Sequence, residues 1–324
     1  YVHVFFGGHI VFGFFVLIII LNREENPVFQ LTWAALALLL PAFGGLLYLY
    51  VELQPGTKVL AGRIRELDSL TETALYQNPD TVRALSLEDG RTAQLARYIW
   101  RTDGYPVYQN TQVCYFRSGE EKFDRLQKEL LGAKNFIFLE YFIIAEGYMW
   151  DTVFEILRAK VKEGVEVRVI YDGMNELYNL PHHFPDRLKE AGIQCKVFSP
   201  VYPVISTHYN NRDHRKIVVI DGHTAFTGGV NLADEYINRK ERFGHWKDAA
   251  IMLRGKAVRS FTVMFLRMWN IYEKLEDTER YLKEEPGLMT EHPGYVMPYA
   301  ANPFSKERTA ERIYIDILNS ASQY

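Results

Sequence analysis

Residues 123–142 read FDRLQKELLGAKNFIFLEYF, a helix followed at once by a buried strand. Phe123, Leu126, Leu130 and Leu131 recur at the spacing of one helix face, with charged residues between them. From Phe136 to Phe142 the chain turns almost wholly apolar, as a short strand covered on both faces requires. The alternation continues downstream. A helix is expected over residues 149–162, closed by Gly164, before the strand VEVRVIYDG at 165–173. Another helix, near 185–191, ends at Gly192 before QCKVF at 194–198. Strand, helix, strand, helix, strand is the order of an α/β domain with a parallel sheet and crossover helices.

Toward the amino terminus the composition changes. No Asp, Glu, Lys or Arg occurs in residues 1–22, and none in residues 27–51. Each run has about the length that a membrane-spanning helix needs, and the short polar turn Arg23-Glu24-Glu25-Asn26 joins them. Two transmembrane helices in a hairpin over 1–51 are therefore expected, with Pro41 and Gly44-Gly45 kinking the second. Lys58, Arg63 and Arg65 follow the second run closely, which predicts a cytoplasmic location for the rest of the chain. Residues 52–112 read as a connector containing Gly56, Pro79, Gly90 and Pro106.

The 324-residue chain has a formal charge of −3, which argues against nucleic-acid binding through bulk positive charge. Cys114 and Cys195 lie 81 positions apart without CxxC spacing, and are expected to be reduced core thiols facing a cytosol. His182, His183 and His245 lack metal-ligand spacing, so no metal is expected. With an offset of 188, Leu130, Ala133 and Phe136 fall on Leu318, Ala321 and Tyr324. This echo predicts the start of a second α/β copy at the carboxy-terminal end and a chain cut short there.

Chemistry concentrates in HYNNRDHRKIVVIDGHTAFTGGVN, residues 208–231. Ile217 to Ile220 mark a buried strand, Asp221-Gly222 a hairpin turn, and Thr224 to Thr227 the return strand. His214 and Lys216 are two apart and share a strand face; Arg215 and Asp221 have the opposite parity. An imidazole beside an ammonium suits phosphoryl chemistry, the first as nucleophile and the second neutralising non-bridging oxygens. Asp221 at the turn is placed to brace the hairpin. Gly228 and Gly229 let backbone approach a ligand, and Asn231 can present an amide to an oxyanion.

The spacing His214-x-Lys216-x-x-x-x-Asp221, followed by Gly228-Gly229-x-Asn231, resembles the HKD motif of the phospholipase D superfamily. The words NNRDHRKIVVIDG, TGGVNLADEY and HWKDAAIMLRG are similar to those of bacterial cardiolipin synthases. The resemblance implies a phospholipase D-like αβα sandwich with a mixed, largely parallel sheet, preceded by the two transmembrane helices. The first such half would occupy 113–300 and a truncated second half 301–324. It further implies a multi-pass protein of the bacterial cytoplasmic membrane, without cofactor, acting on phosphatidylglycerol to give cardiolipin and glycerol through a phosphatidyl-histidine. Asp248, in the setting Trp246-x-Asp248, would orient His214. The family combines two HKD motifs, and by the same offset the second would fall near position 402, outside this sequence. A homo-oligomer is one way to supply it.

Further substrate-binding candidates are Arg212, and Glu140 and Tyr141 near a strand end, with Asp172 before Gly173 at the next. His208 lies within reach of the site or caps its loop. The aromatic-rich helix at 261–272 reads as core. A phosphodiester hydrolase, in which water resolves the same intermediate, and a non-enzymatic lipid-binding scaffold are the competing functional readings.

Overall fold

The computed structural model describes residues 2–23, 27–52, 55–201, 212–275, 278–283, 291–301, 304 and 307–321. His208 and Tyr324 lie outside the described residues. The chain divides into two compact units, Tyr1–Leu60 with Pro203–Asn210, and Ala61–Tyr202 with Asn211–Tyr324.

The first unit is helical, with α1 Val2–Leu21, α2 Pro27–Leu39 and α3 Pro41–Glu52. Val16 and Ile20 of α1 pack with Ala34, Ala37 and Tyr48, and the Trp33 ring meets Tyr48 edge-on at 5.6 Å. Gly44 lets α3 approach α2, since a Cβ there would fall 2.5 Å from the Leu36 carbonyl oxygen. The two expected transmembrane helices are corrected here. Among the described residues no helix is long and apolar enough to cross a membrane. The second run is broken before Pro41 into helices of 13 and 12 residues, each short of the roughly 20 a bilayer core requires. Pro41 has no amide hydrogen with which to continue the ladder of the preceding turn. In α1 the described side chains run from Gly7 to Leu21. The expectation of a multi-pass membrane location falls with these spans.

α4 spans Pro55–Leu70. In the second unit, α5 Pro79–Glu88 and α6 Gly90–Asp103 occupy much of the stretch expected as a connector. Asn78 caps α5 by accepting from the Asp80 amide, and Asp89 caps α6 through the Arg91 and Thr92 amides. The α/β part then follows as β1 Thr111–Phe116, α7 Gly119–Leu131, β2 Phe136–Tyr141, α8 Tyr148–Lys162 and β3 Glu166–Asp172. α9 Asn175–Tyr178 and α10 Phe184–Glu190 precede β4 Gln194–Phe198, β5 Lys216–Ile220 and β6 Thr224–Gly228. β7 Ala250–Gly255, α11 Val258–Trp269 and α12 Thr309–Ser320 complete the described strands and α-helices.

The seven strands form one sheet in the order β1-β7-β6-β5-β2-β3-β4. β2–β3 and β3–β4 are parallel, as the alternating helices demand. β1–β7, β7–β6, β6–β5 and β5–β2 are antiparallel, so the sheet is mixed and not largely parallel. The cause is the Asp221-Gly222 hairpin, which enters beside β2 on the edge that the crossover helices leave open. On one face Leu139, Val169 and Val218 meet Phe123, Leu126, Trp150 and Leu157. On the other, Phe138 stacks on Phe265 of α11 at 4.4 Å. Helices thus cover both faces, and the 261–272 segment is core as expected, with Phe261, Phe265 and Trp269 buried. Leu131 departs from its expected face and is exposed, because α7 ends there. Cys114 and Cys195 are free, half-buried, and sit on opposite edge strands.

Candidate active site

The register of β5 against β2 sets the site. Lys216 opens β5 opposite Tyr141, and His214 lies two residues earlier, in the chain leading into the strand. His214 is exposed, whereas Lys216 is only 5% exposed. The Lys216 ammonium donates to the His214 carbonyl at 2.5 Å and stands over the Phe142 ring, 5.4 Å from its centroid. The His214 imidazole packs on the same ring at 4.8 Å. Phe142 therefore holds both groups, a role that its place at a strand end did not disclose.

Burial pushes the Lys216 pKa down to about 8, against the pull of Asp213 and Asp248. Partial desolvation, and then the Lys216 charge, hold His214 below its ordinary 6.5, opposed by Asp213 and Asp172. A neutral imidazole beside a cation is the pair that a phosphorus electrophile requires: a free lone pair and a counter-charge for oxygen.

The segment carrying His214 is clamped on both sides. Asp172, at the end of β3, accepts from the Asp213 amide at 2.9 Å and from Arg212 Nη1 at 3.2 Å. Arg212 also donates to the Ser199 carbonyl at 2.8 Å. Arg215 Nε lies 2.6 Å from Glu140 Oε1 and 3.1 Å from Asp213 Oδ1. Burial raises the Glu140 pKa well above the ordinary range, with Arg215 opposing and Asp213 reinforcing the rise. Arg215 thus pairs on the face opposite Lys216, as strand parity requires. Asp213, unmarked in the sequence, is the hub of this clamp.

The remaining candidates divide by position. Asp248 approaches on the loop before β7; its Oδ1 accepts from the Ala249 amide at 2.8 Å. Gly229 makes room for it, since a Cβ there would lie 2.0 Å from Asp248 Oδ1. Gly228, at φ +147, passes close to the Ala249 carbonyl. The loop is bracketed by Asn238, whose amide bonds the Trp246 N–H at 2.7 Å and the Trp246 carbonyl at 2.9 Å. Asn231 is buried, accepting from the Ile143 amide at 2.9 Å and donating to the Tyr236 hydroxyl at 2.7 Å. Tyr141 is buried with its hydroxyl accepting from Lys122 at 2.9 Å, and burial pushes Lys122 down to about 7. Glu140 is likewise buried, on the face opposite Tyr141.

Asp221 stands apart from His214, past the far end of β5. Its carboxylate accepts the backbone amides of Lys134, Asn135 and Phe136 at 2.7, 2.7 and 2.8 Å. It does so from a left-handed turn at φ 52. Among the described residues no cluster of His, Cys, Asp and Glu could hold a metal ion.

Mixed sheet, clamped histidine and adjoining lysine define a phospholipase D-like domain, and residues 126–269 match the family described as "Cardiolipin synthase, PLD-like domain". Residues 126–269 thus carry a domain of this cardiolipin synthase, phospholipase D-like kind. It is 30% identical over 315 residues to the cardiolipin synthase of Geobacillus kaustophilus, covering 95% of this chain and 62% of that one. A similar match joins it to the cardiolipin synthase of Halalkalibacterium halodurans, 30% identical over 316 residues with 95% and 62% covered. It is 46% identical over 305 residues to an uncharacterized protein of Streptococcus mutans, covering 94% of this chain and 66% of that one. The chain spans less than two thirds of the length of these relatives. Among solved structures it is similar to Nuc from Salmonella typhimurium, a phospholipase D family member. That match has a TM-score of 0.37 and 17% identity, with 52% of this chain and all of that one covered.

Proposed function

We propose that the chain carries the nucleophilic half of a phosphatidyltransferase that forms cardiolipin from two molecules of phosphatidylglycerol. The supporting observation is the exposed His214 imidazole, held below its ordinary pKa and set beside the buried Lys216 ammonium. The neutral imidazole attacks phosphorus, the bond to glycerol breaks, and glycerol leaves with a proton from a general acid. Lys216 offsets charge on the non-bridging oxygens. The hydroxyl of a second phosphatidylglycerol then attacks the phosphatidyl-histidine, frees His214 and yields cardiolipin. Its proton passes to the same acid–base group, assigned to a second HKD motif from outside this sequence. Asp248 lends negative charge near Lys216, whereas the carboxylates that act on His214 itself are Asp213 and Asp172.

Labelled phosphatidylglycerol, incubated with a protein containing both halves, tests this reading. Cardiolipin with equimolar glycerol is the expected result, together with acid-labile label on the protein that His214→Ala abolishes. Phosphatidic acid as the sole product would replace transfer by hydrolysis, and undiminished cardiolipin formation by His214→Ala would overturn the mechanism.

A further inference from the structure

Lys216 is nearly buried, yet it forms no ion pair among the described residues. Two contacts stand in for one. The ammonium donates to the His214 carbonyl, and it lies over the face of the Phe142 ring, 5.4 Å from the centroid. Asp213 and Asp248 pull on it from farther off. Both have closer partners, Asp213 in Arg215 Nε and Asp248 in the Ala249 amide.

An aromatic face attracts a cation within about 6 Å through the ring quadrupole, and more strongly where water is excluded. It differs from a carboxylate in what it leaves over. A carboxylate would neutralise the ammonium, and an incoming phosphate would have to displace it. A ring cancels no full charge, so the field of the ammonium remains for the non-bridging oxygens.

Backbone on both sides places this ring. Phe142 follows the last residue of β2, and the chain beyond it is tied to the segment after β6. The Ile143 amide donates to Asn231 Oδ1 at 2.9 Å, the Leu232 amide to the Ile143 carbonyl at 3.1 Å, and the Ala145 amide to the Leu232 carbonyl at 3.0 Å. Asn231, expected from the sequence to meet an oxyanion, is thereby spent on the residue next to Phe142. The ring also bears on the His214 imidazole, at 4.8 Å and 52°.

We propose that Phe142 is a positioning residue acting through the π face of its ring, which keeps Lys216 a charged ammonium, not neutralised by a carboxylate, beside the His214 imidazole. Its catalytic consequence rests on the phosphatidyl-transfer reading; the contact itself is read without turnover.

The test is an NMR titration of the whole chain labelled with carbon-13 at lysine Cε, the Lys216 signal being assigned by its loss in Lys216→Arg. Phe142→trifluorophenylalanine keeps the ring shape and weakens the π face, Phe142→Leu keeps apolar bulk without one, and Phe142→Tyr restores it. The Lys216 inflection is expected to fall by about 0.5 to 1 in pKa in Phe142→Leu, because the charged form loses its partner. It should fall by part of that in the trifluoro variant and return in Phe142→Tyr. In protein containing both halves, the alkaline limb of cardiolipin formation should move with it. An inflection unmoved by trifluorination would overturn the proposal, and that variant decides alone if Phe142→Leu does not fold. An alkaline limb that stays put while the inflection moves would overturn the catalytic part. A moving inflection in protein that forms no cardiolipin would support the contact and remove the transferase reading instead.

Discussion

Glu140 Oε1 lies 2.6 Å from Arg215 Nε, and its carboxylate is wholly removed from solvent one residue from the end of β2. Removing Glu140 takes away the nearer of the two carboxylates that hold Arg215 Nε and leaves Asp213 alone to face a buried guanidinium. Glu140→Leu is expected to cost about 3–5 kcal/mol in urea unfolding, and the Glu140→Leu/Arg215→Leu double variant less than Glu140→Leu alone. A double variant no more stable than Glu140→Leu would show that the pair is not the source of the loss.

Asp221 holds three backbone amides at the entrance to β2. Asp221→Ala should therefore lower stability by about 2–4 kcal/mol. The folded fraction should retain turnover within about tenfold of wild type, since the carboxylate acts on the fold and not on phosphorus. A loss as complete as that of His214→Ala, in protein shown to be folded, would place Asp221 in the chemistry.

Gly229 and Asp248 interlock. A methyl at residue 229 must displace the Asp248 carboxylate, so Gly229→Ala is expected to cost about 1–3 kcal/mol and to lower kcat. In the Asp248→Ala background the same methyl meets no carboxylate, and its added cost should nearly vanish. Additive losses around this cycle, measured by denaturant unfolding, would refute the contact.

The pH profile of kcat/KM should be bell-shaped. Attack requires neutral His214, so activity falls as acid protonates the ring below its ordinary 6.5. Oxyanion stabilisation requires charged Lys216, so activity falls again as pH rises through about 8. Lys216→Arg should remove the alkaline limb from the observable range, because guanidinium stays protonated. An alkaline limb unchanged in that variant would assign it to another group.

Much of this site was legible in residue spacing. Parity separated Lys216 from Arg215, and placed Asp221 at the turn where it bonds backbone. Local order also revealed the parallel strands β2, β3 and β4, because each is followed or preceded by its crossover helix. The antiparallel half was not legible, because the docking of the hairpin beside β2 depends on contacts about 80 residues apart in sequence. Phe142 and Asp213 escaped notice for a related reason: an aromatic ring at a strand end and a carboxylate in a basic run acquire roles only when β2, β3 and β5 meet. Hydropathy alone also joined α2 and α3 into one span, where Pro41 interrupts the helix.

The anchoring of Asp221 bears on how the chain is made. Its carboxylate bridges sequence separations of 85 to 87 residues, and β5 fills the centre of the sheet between β2 and β6. As synthesis proceeds from the amino terminus, β2, β3 and β4 emerge with one side of β2 still unpaired. That raw edge stays open to wrong partners until residues 216–220 are delivered. The hairpin that follows His214 is then also the piece that closes the nascent sheet, and a ribosome pausing before it would prolong the interval of greatest aggregation risk.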